Sequence, residues 1–137
     1  TSLTDPTNEA PPHHVSMRNL ARPGWAYVGY KSDPGKRFSD EVIAVRTDGS
    51  KQVERLGHKH SLVSAYRTES HAVPSPDGRR VMFASNWALN CTTCGATSDI
   101  KAYVLDARDT SSAVNDPSAQ SYRFDASGSK QRRQRAS

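Results

Sequence analysis

The chain has no apolar stretch near the roughly 18 to 20 residues that a membrane-crossing helix needs, so no membrane span is expected. Its opening, Thr1-Ser-Leu-Thr-Asp-Pro6, lacks the basic-then-apolar order of a secretion signal. No Met precedes it, so the chain reads as a processed product or a fragment and its start is silent on compartment. Only two cysteines occur, too few for a four-cysteine zinc site. There is no G-x-G-x-x-G, no Walker sequence and no G-x-S-x-G, so nothing points to a nucleotide cofactor. Apolar residues are also scarce, 34% against 24% charged, which allows one core in 137 residues and leaves part of the chain unstructured.

Acidic residues are missing from position 127 onward, while Lys130, Arg132, Arg133 and Arg135 stand there. These four supply most of the net charge of +5, and the remaining body is close to neutral. A nucleic-acid partner needs its basic footprint on a structured face, so the charge argues against one.

What is present is β chemistry. Short apolar runs, at 25–30, 41–46, 52–56, 81–85 and 100–105, are separated by turns at Arg22-Pro-Gly24, Asp33-Pro-Gly35, Asp48-Gly-Ser50 and Ser75-Pro-Asp-Gly78. No helical periodicity of useful length competes. The fold class expected is all-β, with antiparallel strands in a meander. Residues 1–12, with three Pro, form an irregular lead-in, and 113–137 read as a disordered basic tail.

The two halves repeat. His14 matches His71 at an offset of 57, Trp25-Ala-Tyr27 matches Val81-Met-Phe83 at 56, and Glu41-Val-Ile-Ala44 matches Asp99-Ile-Lys-Ala102 at 58. A unit of four strands at this spacing suits a propeller blade, which places a first blade at 13–70 and a second at 71–112.

His71-Ala-Val-Pro-Ser-Pro-Asp-Gly-Arg-Arg-Val-Met-Phe-Ala-Ser-Asn86, followed by Asp99-Ile-Lys-Ala-Tyr-Val-Leu-Asp106, resembles the WD40-like (PD40) repeat of TolB-like β-propellers. That resemblance implies four-stranded blades, of which about two are visible. Since a ring needs four or more, it also implies a partial propeller, the C-terminal part of a larger one whose other blades lie outside this chain, with assembly from several short chains as the alternative.

Five histidines form the most informative titratable set: His13, His14, His58, His60 and His71. If the repeat holds, His14 and His71 occupy one place in adjacent blades, at the start of the innermost strand, and His58-Lys-His60 leads towards the same mouth. Neutral imidazoles converging with a carboxylate are ligands for Mn, Zn, Ni or Fe, and the expected metal set is His14, His60, His71 and Glu69. The alternative is that these histidines cap strand ends and bond loop carbonyls.

Glu69-Ser-His71 ahead of the Pro-Ser-Pro-Asp-Gly turn is similar in position to a metal-ligand segment of oligogalacturonate lyases, seven-bladed propellers that cleave acidic polysaccharide by β-elimination. That family has Gln where this chain has Glu, and a pair of His where this chain has one. For such chemistry a metal or Arg neutralises the substrate carboxylate while a base removes a proton. The catalytic candidates near the histidines are Arg18, Lys59, Tyr66 and Arg67, each of which also reads as a solvated strand-end residue.

Trp87, at the end of the 81–85 run, is a candidate to stack on a sugar ring or to pack under the neighbouring loop. Cys91-Thr-Thr-Cys94 reads first as a local disulfide and second as a free thiol pair, which favours a periplasmic or secreted location. Three functional classes remain open: a propeller that binds, and in one version cleaves, a carbohydrate at a His-lined mouth; a non-catalytic protein-interaction propeller; and an incomplete piece without activity of its own.

Overall fold

Val, Ile, Tyr and Trp crowd the segments between the Gly and Pro turns, and a chain so patterned folds by pairing extended segments. The computed structural model describes residues 2–62, 66, 69–88, 100–106, 122–124 and 130–132. It contains two compact units, Thr1–Ala107 and Arg108–Ser137. The first unit is built on two antiparallel sheets and the all-β expectation holds. Its first sheet runs in the order β1 (Pro12–Ser16), β2 (Trp25–Tyr30), β3 (Glu41–Arg46), β4 (Val53–His58). The second runs β5 (Val73–Pro74), β6 (Arg80–Ser85), β7 (Lys101–Asp106). The strands expected at 25–30 and 41–46 coincide with β2 and β3, and the other three are displaced by one or two residues.

β2 and β3 read as continuous apolar runs because both of their faces are covered. One face, carrying Ala26, Val28, Tyr30, Ile43 and Val45, is packed by Ala10 and Leu3 of the lead-in and by Phe38 of the β2–β3 loop. The other, with Tyr27, Val42 and Ala44, lies against Ala72, Val81 and Phe83 of the second sheet. Each fully buried aliphatic side chain here, such as Val42 or Ile43, contributes about 1.5–3 kcal/mol. Where the sheets meet, β1 lies next to β5 and β4 next to β7.

The turn Ser75-Pro-Asp-Gly78 is a closed device. Gly78 N–H donates to Ser75 O at 2.8 Å, Arg79 N–H to Asp77 Oδ1 at 3.0 Å, and Arg80 N–H to Ser75 Oγ at 3.0 Å. Gly78 closes it at φ +70°, a conformation that side chains with a Cβ rarely adopt. The turn is also fastened to the first sheet. The buried Tyr27 hydroxyl donates to Gly78 O at 2.7 Å, and Ala21 N–H donates to Pro76 O at 2.8 Å.

Ser16, Tyr27 and Ala44 share one rung of the first sheet, and Val73, Met82 and Val104 share a rung of the second. A slip of one residue in a strand exchanges its two faces; here Tyr27 is turned towards the second sheet, and Val81 and Phe83 are turned towards the first.

The second unit carries β8 (Tyr122–Phe124) and β9 (Lys130–Arg132), paired antiparallel, within a tail expected to be wholly without order. Tyr and Phe flanking one Arg give this segment a strand propensity that the composition of the tail as a whole conceals.

Candidate metal centre

Neighbouring residues on a strand point to opposite faces, so His13 and His14 should diverge. A β-bulge prevents this. Pro12 pairs with Tyr30 and His14 with Gly29, which leaves His13 as an extra residue between two adjacent rungs. A bulge re-aims the side chain it inserts, and here both imidazoles converge on Glu69. His14 Nε2 donates to Glu69 Oε2 at 2.8 Å, and His13 Nε2 stands 3.4 Å from Glu69 Oε1. Ligand atoms of the three residues all lie within 4.8 Å of one another.

Glu69 comes from the segment just before β5, where its N–H donates to Tyr66 O at 3.1 Å and Ser70 O accepts from Ala84 N–H at 2.8 Å. The site thus joins the first strand of one sheet to the approach of the first strand of the next. The hydrogen bond from His14 holds the Glu69 carboxyl below its ordinary range, with the electrostatic influence of His13, His14 and Lys31 acting the same way against partial burial. Burial pushes the His13 imidazole down, opposed by Glu69 and assisted by Lys31, His14 and Lys59. The resting combination is an ionised carboxylate beside a neutral imidazole, the protonation state that metal binding requires.

His13 is the informative member. Its side chain is only 6% exposed, and neither ring nitrogen has a hydrogen-bond partner. A buried imidazole left unpaired costs about 1–3 kcal/mol, a cost that coordination would remove. Two ligand atoms on a tetrahedral metal with bonds of about 2.0–2.1 Å stand about 3.3–3.4 Å apart, which matches the His13–Glu69 separation. Two imidazoles and one carboxylate form the donor set of open zinc sites and of the facial triad that holds ferrous iron, both of which leave positions for water or a substrate oxygen.

Of the four residues expected to hold a metal, His14 and Glu69 meet. His71, two residues before β5, brings its ring against that of His14, tilted by 35° with centroids 3.9 Å apart. It lies outside the three-residue group. His60 is diverted elsewhere: its N–H donates to Asp40 Oδ2 at 2.7 Å and its ring lies 4.5 Å from Trp87. Trp87 in turn lies 4.8 Å from Tyr103, so its ring is engaged within the protein. His60, His71 and Trp87 all hold left-handed backbones, with φ of 52°, 42° and 50°.

Among the catalytic candidates, Lys59 is fully buried, its ammonium donating to Tyr30 O with Asp40 at 3.6 Å, and it is a structural cation. Arg18 is exposed beyond the end of β1. Tyr66 is 71% exposed and meets the His71 ring edge-on at 5.3 Å. Arg67, Cys91 and Cys94 lie outside the described residues. Sequence reasoning missed His13 because strand alternation argues against it. The available signal was Pro11-Pro12 immediately before it, since proline at a strand start marks irregular pairing.

Comparison with family models, with curated proteins and with solved structures returns no match for this chain.

Proposed function

We propose that the chain is a metal-binding part of a β-propeller, with His13, His14 and Glu69 holding one divalent transition metal that engages a carboxylate-bearing carbohydrate. The observation that carries the reading is His13, buried, unpaired and delivered by a bulge to the carboxylate that His14 already bonds. The blade reading draws support from a four-stranded antiparallel meander followed by a three-stranded one. Lys31, exposed and carrying a charge that acts on both His13 and Glu69, adds a cation suited to an acidic ligand.

The metal would supply Lewis-acid polarisation of a ligand oxygen. His13, His14 and Glu69 would hold it. For elimination chemistry a base is also needed, and Tyr66 is the candidate whose ring stands beside a histidine of this region. Lys59 has no access to solvent.

Elemental mass spectrometry on protein dialysed against Zn, Mn, Ni or Fe(II) tests the reading, beside His13→Ala and Glu69→Gln variants. About one metal per chain in the wild type, lost at least tenfold in affinity in both variants, is expected. A wild type without metal, or a His13→Ala protein that retains it, sinks the proposal. Binding of an acidic oligosaccharide with and without chelator then tests the ligand class.

A further inference from the structure

The chain enters His13 from a segment that is only lightly fastened. Leu3 and Ala10 pack on the face of Ala26, Val28 and Ile43, while Ser2, Asp5, Pro6, Thr7 and Asn8 are exposed. Its backbone meets the first sheet and the β2–β3 loop through three bonds: Ala10 N–H donates to Arg37 O at 2.9 Å, Arg37 N–H to Asn8 O at 2.8 Å, and Lys31 N–H to Pro11 O at 2.9 Å. The Glu9 side chain, 6% exposed, accepts from the Thr4 hydroxyl at 2.8 Å and the Tyr30 hydroxyl at 3.4 Å. Its Oε1 has no hydrogen-bond partner, and the Arg37 guanidinium stands 3.9 Å away. Few buried apolar contacts and an unpaired buried oxygen place this segment at the low end of local stability.

The same segment makes the bulge. A bulge exists only between two rungs of a ladder, here Pro12 with Tyr30 before it and His14 with Gly29 after it. Pro11 and Pro12 fix two successive φ angles, and each restricts the residue ahead of it, so little movement can be absorbed between Ala10 and His13. When residues 3–11 leave the sheet, the Pro12 rung goes with them. His13 is then a residue preceding the strand and is no longer aimed at Glu69, whereas His14 keeps its own rung.

We propose that docking of residues 3–11 on the first sheet and occupancy of the His13–His14–Glu69 group are linked, so that the lead-in is the latch of the metal centre. This rests on the metal reading above and adds its regulation: displacing the lead-in releases the metal, and the metal holds the lead-in down. Linkage makes the two effects equal in size, typically about fivefold or more.

Hydrogen exchange on the full chain, with saturating zinc and without, tests the latch through the amides of Ala10, Lys31 and Arg37. The amides of Gly78 and Arg80, which close a turn of the second sheet, are the reference. Zinc is expected to slow the first three at least about fivefold more than the reference pair, and to have no such effect in Glu69→Gln. Conversely, Leu3→Asp removes an apolar contact of the lead-in and touches none of the three ligands. It is expected to weaken zinc at least about fivefold in equilibrium dialysis while Gly78 and Arg80 exchange as in the wild type. The exchange comparison on the wild type needs no variant and decides the matter if Leu3→Asp disturbs the reference pair. Zinc bound without preferential slowing of the three amides overturns the latch and leaves the metal reading standing, as does wild-type affinity in a folded Leu3→Asp protein. A wild type that binds no zinc or other divalent metal overturns both.

Discussion

Replacing Gly78 by alanine perturbs a backbone conformation and a link between the sheets at once, and the two costs can be separated. At φ +70° the added Cβ strains the backbone by about 1–2 kcal/mol. It would also stand 2.5 Å from Tyr27 Oη and 2.9 Å from Arg22 Cδ. The Tyr27 ring is fully buried and cannot swing aside, so the hydroxyl must leave Gly78 O, 2.7 Å away, and Arg22 Nη1, 3.0 Å away. Breaking a buried hydrogen bond of this kind costs about 1–3 kcal/mol more. The expected loss is about 2–5 kcal/mol in all, read as a lower urea midpoint with an unchanged slope. Gly49→Ala is the internal control. Its φ is +83°, yet nothing lies within 4 Å of the new Cβ, so only the backbone cost of about 1–2 kcal/mol applies. In a Tyr27→Phe background the excess cost of Gly78→Ala should shrink by about 1 kcal/mol or more, because the crowded atom is gone. A Gly78→Ala protein no less stable than Gly49→Ala would refute the docking of this turn on the first sheet.

Lys59→Met leaves the Asp40 carboxylate buried with only the His60 and Ser61 N–H groups and strips Tyr30 O of its donor, an expected loss of about 3 kcal/mol by denaturant unfolding at neutral pH. Burial holds the Lys59 ammonium below its ordinary value against the pull of Asp40. The unfolded chain therefore binds the extra proton between the depressed value and about 10.4, and the contribution of this group to stability rises with pH across that window. The rise should be absent in Lys59→Met, and an identical alkaline profile in the two proteins would contradict the assignment. Arg55 meets the buried Glu41 carboxylate with two donors, Nε at 2.7 Å and Nη2. Arg55→Met should cost about 2–3 kcal/mol although Arg55 itself is mostly exposed, and adding Glu41→Gln should recover most of it, since the penalty is an unpaired buried charge. A double variant as unstable as the single one would count against that account.

Much of the scaffold was legible because turns and strand periodicity are local properties. Pro and Gly at the four turns and the apolar runs at 25–30 and 41–46 define β2 and β3 to the residue. The His14–His71 match at 57 residues singled out two imidazoles, and the structure brings their rings to 3.9 Å between centroids. Other features depend on which groups meet across the core. Lys59 reads as an accessible base, but the backbone carbonyl of Tyr30 and the Asp40 carboxylate receive it in the interior. His60 reads as a ligand, but Asp40 binds its N–H and Trp87 takes its ring.

The sequence by itself determined the all-β class and the antiparallel meander, since both are written in spacing and turn chemistry. Only the tertiary structure decided the face each strand presents and the company His13 keeps. The second turns on a shift of a single residue, the one extra residue in β1. Such a shift leaves local propensity almost unchanged and exchanges every inward and outward side chain, so packing across the sheets selects between the alternatives.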